Sequence, residues 1–122
     1  MVKYFFDSYA LIEIAKGNSK YIPYFGSPIV ITFLNLIEFT YSILLNYGEE
    51  KAQEICKQYS SCVVDIDNET VLEALRFRKE EHKKNLSYAD CLGYIYAKRN
   101  NLLFLTGDEQ FRHLPLVEFV KK

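Results

Sequence analysis

The chain has 122 residues, a formal net charge of −1, an apolar fraction of 49%, nine Phe and ten Tyr. That length suits a single domain over residues 1–122 with a buried core, and the apolar fraction excludes a disordered chain. The near-neutral charge argues against a protein that coats nucleic acid by bulk charge alone, although an acidic metal site would offset basic residues in the same sum.

Residues 2 to 6, VKYFF, are predicted as a first strand, and SYALIEIAKG follows as a helix closed by Gly17. The acid inside this N-terminal apolar run, and the lack of a small-residue cleavage site, argue against a signal peptide. A second short helix is expected from Lys20 to Phe25. Pro28 then opens a second strand, PIVIT, and Thr32 caps the helix FLNLIEFTYSILLNYG, which ends at Gly48. GEEKAQEICKQY reads as a further helix and SCVVDI as a third strand. NETVLEALRFRKEEHKKN has the spacing of a long amphipathic helix, with Val71, Leu72, Leu75 and Phe77 as candidate core contacts. SYADCLGYIYAKRNN is another helix, LLFL a fourth strand and LVEFV a short fifth. No apolar run approaches the ~20 residues that span a bilayer, so no membrane role is expected. Cys56, Cys62 and Cys91 are odd in number and lack CxxC spacing, which suggests reduced thiols in a cytoplasmic protein rather than a disulfide framework or a zinc site.

Nearly all-apolar strands alternating with helices indicate an α/β fold whose central parallel sheet is covered on both faces. In such sheets ligands bind beyond the carboxyl ends of the strands. Asp7 directly follows the first strand and Asp108 the fourth. Asp90 lies in the first turn of the helix leading into the fourth strand, and Glu38 about two turns into the helix after the second. Topology alone brings Asp7 and Asp108 to one rim; Asp90 and Glu38 join them only if their helices pack suitably.

Each acid also fits a purely structural role. Asp7 and Asp108 suit N-caps, and Ser87-Tyr88-Ala89-Asp90 suits a capping box with Asp in place of Glu. Glu38 suits a helix surface, but Leu36, Ile37 and Phe39 leave it in apolar company, where an acid is costly without a cation. Four carboxylates on one rim would raise one another's pKa, and a divalent cation removes that conflict. Mg²⁺ or Mn²⁺ takes oxygen ligands and keeps waters, so a phosphate and an attacking water have room. Ser8 and Thr106 are the hydroxyls placed to hold ligands or bound water. Ala89, Gly93 and Ala97 form a small-residue stripe that lets their helix approach the sheet.

The Asp-Ser pair after the first strand, the Glu in FLNLIEF, YADCLGYIYAKRNN and FLTGD together resemble the PIN domain family, and more narrowly its VapC-type toxins, from Val2 to about Val120. The resemblance implies a three-layer α/β/α sandwich and a Mg²⁺- or Mn²⁺-dependent endoribonuclease. It maps the family's acids onto Asp7, Glu38, Asp90 and Asp108, with Asp7, Asp90 and Asp108 as metal ligands, and its hydroxyl residue onto Thr106. It further implies structured RNA as substrate, a small cognate antitoxin as partner and a homodimer. Tyr94, Tyr96 and Asn35 depart from the family's usual residues.

The basic cluster of Arg76, Arg78, Lys79, His82, Lys83 and Lys84 offers RNA contacts, with Arg76, Lys79 and Lys83 foremost. It equally suits a solvated helix end whose cations favour the dipole. Asp65 and Asp67 suit a cap or turn better than the metal. Tyr9 and Tyr88 could stack bases. Two further functions share the pattern. One is a housekeeping RNA-processing nuclease; the other is a metal-dependent binding module such as a receiver domain. The latter wants an acid pair before Asp7, where Phe5 and Phe6 stand, and a lysine soon after the last strand, where Lys121 and Lys122 are terminal. A haloacid-type phosphatase wants a second acid at Tyr9.

Overall fold

Two short strands buried on both faces organise the molecule. The computed structural model describes residues 3–121, so Val2 of the predicted first strand and the terminal Lys122 lie outside the described residues. β1 (Tyr4–Phe6), β2 (Leu103–Thr106) and β3 (Val117–Phe119) form a parallel sheet in the order β1-β2-β3. Phe5 lies opposite Phe104, and Phe6 opposite Leu105. Successive strand side chains point to opposite faces, so Phe5 and Phe104 enter one core cluster while Phe6 and Leu105 enter the other.

Helices cover both faces. On the Phe6 side, α1 (Ser8–Ala15), α2 (Phe33–Tyr47) and α3 (Glu49–Tyr59) bury Leu11, Phe39, Ile43 and Ala52. On the Phe5 side, α4 (Asn68–Glu80) and α5 (Tyr88–Arg99) bury Ala74, Cys91, Tyr94 and Ile95. This is the expected α/β/α sandwich. Its helix ends follow local chemistry. Thr32 caps α2 in a capping box closed by Asn35, and Ser87 caps α5 in one closed by Asp90. Gly17 and Gly48 take positive φ angles, 78° and 91°, where α1 and α2 stop. The expected helix at Lys20–Phe25 is a 3-10 helix over Ser19–Tyr24 with Pro23 inside it.

Two predicted strands are corrected. PIVIT and SCVVDI form no strand; they meet in one parallel bridge between Ile31 and Val63. The Phe6 N–H donates to the Val30 carbonyl, and the Val64 N–H to the Ile31 carbonyl, both at about 3 Å. The segments therefore lie beside β1 without extending its ladder. Pro28 has no N–H to give, Thr32 is already a helix cap, and Ser60–Cys62 coils into a 3-10 turn, so too few extended residues remain for a ladder. Also corrected is the buried face of α4. Leu72 and Leu75 are 56% and 45% exposed, whereas Thr70 and Ala74 are buried and Phe77 packs on the core. This helix ends at Glu80, short of the basic run that follows.

The small-residue stripe of α5 performs as expected, with Ala89, Gly93 and Ala97 all buried. A Cβ at Gly93 would stand 2.6 Å from Cε1 of Phe5 and 3.2 Å from Cε1 of Phe104. Those rings are stacked in the core with centroids 5.8 Å apart and cannot swing away. Gly93→Ala is therefore expected to destabilise the protein by about 1–3 kcal/mol in urea unfolding, the usual cost of overpacking. An unchanged midpoint would refute the tight contact. Tyr94, a departure from the family pattern, fills this same layer against Phe77, Phe104 and Phe111, and its hydroxyl donates to the Pro115 carbonyl.

Candidate active site

At its upper end β1 runs into Asp7, which is buried and caps α1: its Oδ1 accepts the Ser8 N–H at 2.9 Å. The adjacent strand β2 ends on Thr106, whose hydroxyl donates to Oδ2 of Asp7 at 2.7 Å and accepts the Asp108 N–H at 3.1 Å. One buried hydroxyl thus ties the two strand ends and both acids together. Gly107 is required between them for space. A Cβ there would collide with the Tyr9 ring and stand 2.5 Å from the Val120 carbonyl oxygen. Asp108 in turn caps a 3-10 turn over Glu109–Phe111, with its Oδ1 accepting the Gln110 N–H at 3.0 Å.

Glu38 is held by a second hydroxyl. Ser8 Oγ donates to Glu38 Oε1 at 2.6 Å and accepts from Asn35 Nδ2 at 3.0 Å. Asn35 is fully buried, and its Oδ1 accepts from both the Thr32 N–H and the Thr32 hydroxyl. The cap of α2 therefore aims Glu38 through Ser8. The expected apolar surroundings of Glu38 are corrected: Leu36 and Phe39 turn into the core, while Ile37 and Glu38 itself are exposed. Asp90 closes the α5 capping box, its Oδ2 accepting the Ser87 N–H at 2.8 Å.

The acids act on one another. Burial pushes the Asp7 carboxyl up to about 8, with Asp90 and Asp108 adding to the rise against the hydrogen bonds from Thr106 and Ser8. Burial also raises Asp90, opposed by its bonds to Ser87 and reinforced by Asp108 and Glu38. Among the described residues, none of these four carboxylates has a basic partner, although Arg99, Arg112, Lys16, Lys51 and Lys121 all pair with glutamates elsewhere. Asp7, Glu38, Asp90 and Asp108 thus come from four different places in the chain to share one electrostatic neighbourhood.

The donor set is oxygen only, which suits a hard cation such as Mg²⁺ or Mn²⁺. The capping bonds of Asp90 and Asp108, and the Ser8 hydroxyl on Glu38, engage one oxygen each, leaving the second oxygen of each for a ligand. Among the described residues no group of three His, Cys, Asp or Glu side chains is already arranged to hold a metal ion.

The PIN domain family model matches residues 4–116. The chain belongs to the PIN domain family. A comparison with curated proteins finds no match. Solved PIN-fold structures similar to this chain include a toxin–antitoxin complex from Klebsiella pneumoniae, at 15% identity and a TM-score of 0.77, covering 98% of this chain and 100% of that one. VapC20 of Mycobacterium tuberculosis, described as a sarcin–ricin loop cleaving toxin, matches at 12% identity and a TM-score of 0.77 with the same coverage. VapBC2 from Rickettsia felis, bound to a promoter DNA fragment, matches at 18% identity and a TM-score of 0.70, covering 99% and 98%. At these identities the likeness is one of fold.

Around the acids of this PIN domain the other candidates separate. Asp67 caps α4 through the Thr70 N–H at 2.8 Å, the structural role expected of it, whereas Asp65 lines a cavity with Arg99 and Asn100. Lys79 lines a cavity with Arg78 and Tyr88, Arg76 lines the neighbouring one beside Glu80, and Lys83 lines neither. Asn35 is the site residue that sequence reasoning missed. Its signal was present as Thr32-x-x-Asn35, a capping box with Asn where Glu or Gln is usual.

Proposed function

We propose that this PIN domain is a Mg²⁺- or Mn²⁺-dependent endoribonuclease that cleaves structured RNA in the cytoplasm as the toxin of a toxin–antitoxin pair. The observation that carries the reading is the mutual influence of Asp7, Glu38, Asp90 and Asp108, with none of them in a salt bridge among the described residues. Asp7, Asp90 and Asp108 are the residues to hold the metal. Glu38, exposed and aimed by Ser8, is placed to take a proton from an attacking water. A divalent ion bound here would supply a more acidic water and neutralise charge developing on the phosphate.

The antitoxin part of the proposal rests on α2. Phe33, Ile37, Tyr41 and Leu44 recur at helical spacing and are all exposed, and with Cys56 they line an apolar cavity of about 300 Å³. The Thr40 hydroxyl on that wall is buried without a hydrogen-bond partner among the described residues. A small protein laid along this face would reach Glu38, which follows Ile37, and so screen the site. Exposed Leu72 on α4 offers a separate surface for a second copy of the chain.

The test is cleavage of folded RNA by the purified protein in Mn²⁺ or Mg²⁺, in chelator, and with Asp90→Asn. The expected result is cutting that needs both metal and Asp90. Cutting that persists in chelator, or in Asp90→Asn at the parent's rate, would overturn the reading.

A further inference from the structure

Arg78 differs from Arg99 and Arg112. Arg99 pairs with Glu69 and Glu73, and Arg112 with Glu109. Among the described residues no carboxylate pairs with Arg78, yet its guanidinium is fixed in two directions. Its Nε donates to the Leu86 carbonyl at 3.2 Å, and its Cζ lies 4.5 Å from the centroid of the Tyr88 ring. A guanidinium pinned through Nε and lying over an aromatic ring keeps both terminal nitrogens for a bidentate oxyanion such as phosphate.

The surroundings repeat that chemistry. Arg78, Lys79, His82, Lys84 and Tyr88 wall a cavity of about 480 Å³ with no acid on it. Tyr88 is 57% exposed, so its ring has surface to offer after Arg78 has covered part of it. The cavity is tied to the acid rim from two sides. Tyr88 opens α5 two residues before Asp90. On the other side, Gln110, whose N–H binds Asp108, donates its amide to the Asn85 carbonyl, accepts the Asn85 N–H, and gives its own carbonyl to Lys84 Nζ at 3.0 Å. The basic segment after α4 is thus stapled to the Asp108 turn.

We propose that this cavity is a subsite for an unpaired nucleotide flanking the scissile phosphate, a reading that rests on the nuclease function above. Arg78 takes the flanking phosphate, Lys79 and Lys84 add charge, and the Tyr88 ring stacks the base. Stacking of this kind requires a base free of its duplex, so the cut falls in a loop or single-stranded stretch rather than in a paired stem. This assigns Arg78 and Tyr88 the leading role, ahead of Arg76 and Lys83.

The test measures affinity for a labelled single-stranded RNA oligonucleotide in Mg²⁺, using Asp90→Asn protein so that no strand is cut. Adding Arg78→Ala is expected to weaken binding about tenfold and to lower the salt slope by about one. Arg78→Lys should restore the slope but not the affinity, because charge returns without the fork. Tyr88→Ala, at an exposed position where folding is not at stake, should weaken binding severalfold, while Tyr88→Phe should not. Fully paired RNA should compete poorly. Arg78→Ala binding with parental affinity and slope, or paired RNA competing equally, would overturn the subsite. Failure of the nuclease reading would look different: the parent protein would leave the RNA uncut in Mg²⁺, or Asp90→Asn would still cut.

Discussion

Asp7→Asn is expected to change cleavage and stability in opposite directions. Cleavage should fall by at least ~100-fold, since losing even an outer partner of a metal ligand commonly costs 10–100-fold in activity. The metal-free fold should instead become more stable at pH 8, by on the order of 1–3 kcal/mol. Both effects have one cause. Asp7 is buried beside Asp90 and Asp108, and these surroundings favour its neutral form. Asparagine presents a neutral side chain of the same shape that can still accept the Ser8 N–H, and it is as good an N-cap as aspartate. Urea unfolding in chelator at pH 5 and pH 8, beside a cleavage assay, checks both halves. A variant less stable than the parent at pH 8 would show that the buried charge is not a burden.

The second large effect is the pH dependence of the unsubstituted protein. The Asp7 pKa is raised to about 8 in the fold, against roughly 3.9 in the unfolded chain. Between those values the folded state holds a proton that the unfolded state has released. Stability of the metal-free protein therefore falls as pH rises from about 4 to 8. Asp90 shifts in the same direction and deepens the fall. Asp67, lowered by its bonds to Thr70, acts oppositely, but only as pH drops below the ordinary carboxylate range. A divalent cation competes with that proton, so its binding should strengthen as pH rises. Mn²⁺ should accordingly raise the melting temperature strongly at pH 8 and weakly at pH 5. At a hundredfold excess over Kd the gain is about 2.7 kcal/mol. A metal-free melting temperature that is flat from pH 5 to 8, or a Mn²⁺ effect that is larger at pH 5, would contradict this account.

How legible these features were in the sequence depended on how local their causes are. Caps involve residues three apart, so Thr32, Ser87 and the ends at Gly17 and Gly48 could be placed correctly. The central strands were legible because Phe5-Phe6 and Phe104-Leu105 bury on both sides and show no polar alternation. PIVIT has the same composition, but strand formation there depended on how many residues Pro28 and the Thr32 cap left free. On α4 two stripes competed, the predicted one through Val71, Leu72, Leu75 and Phe77 and one through Thr70, Ala74 and Phe77. The second won because small Ala74 lets α4 lie close against the sheet-covering layer, a matter of shape that hydropathy does not carry. The acids after the strands were legible from topology. The link from Asn35 through Ser8 to Glu38 was not, because Ser8 and Asn35 are 27 residues apart.

Asp7 and Asp108 cap a helix or a helical turn, and Asp90 closes the capping box of α5, besides sharing the acid rim. Selection for folding alone would keep a side-chain oxygen at these three positions after selection for chemistry had lapsed. Alanine would remove the cap at Asp7 and Asp108, at a cost of about 1 kcal/mol each, and the reciprocal bond to the Ser87 N–H at Asp90. A descendant that has lost its chemistry but kept its shape would therefore carry asparagine or serine at positions 7, 90 and 108. Glu38 caps nothing, so it is the acid free to drift to any residue. Among descendants of this fold, the residue at position 38 reports on retained chemistry more directly than do the three aspartates.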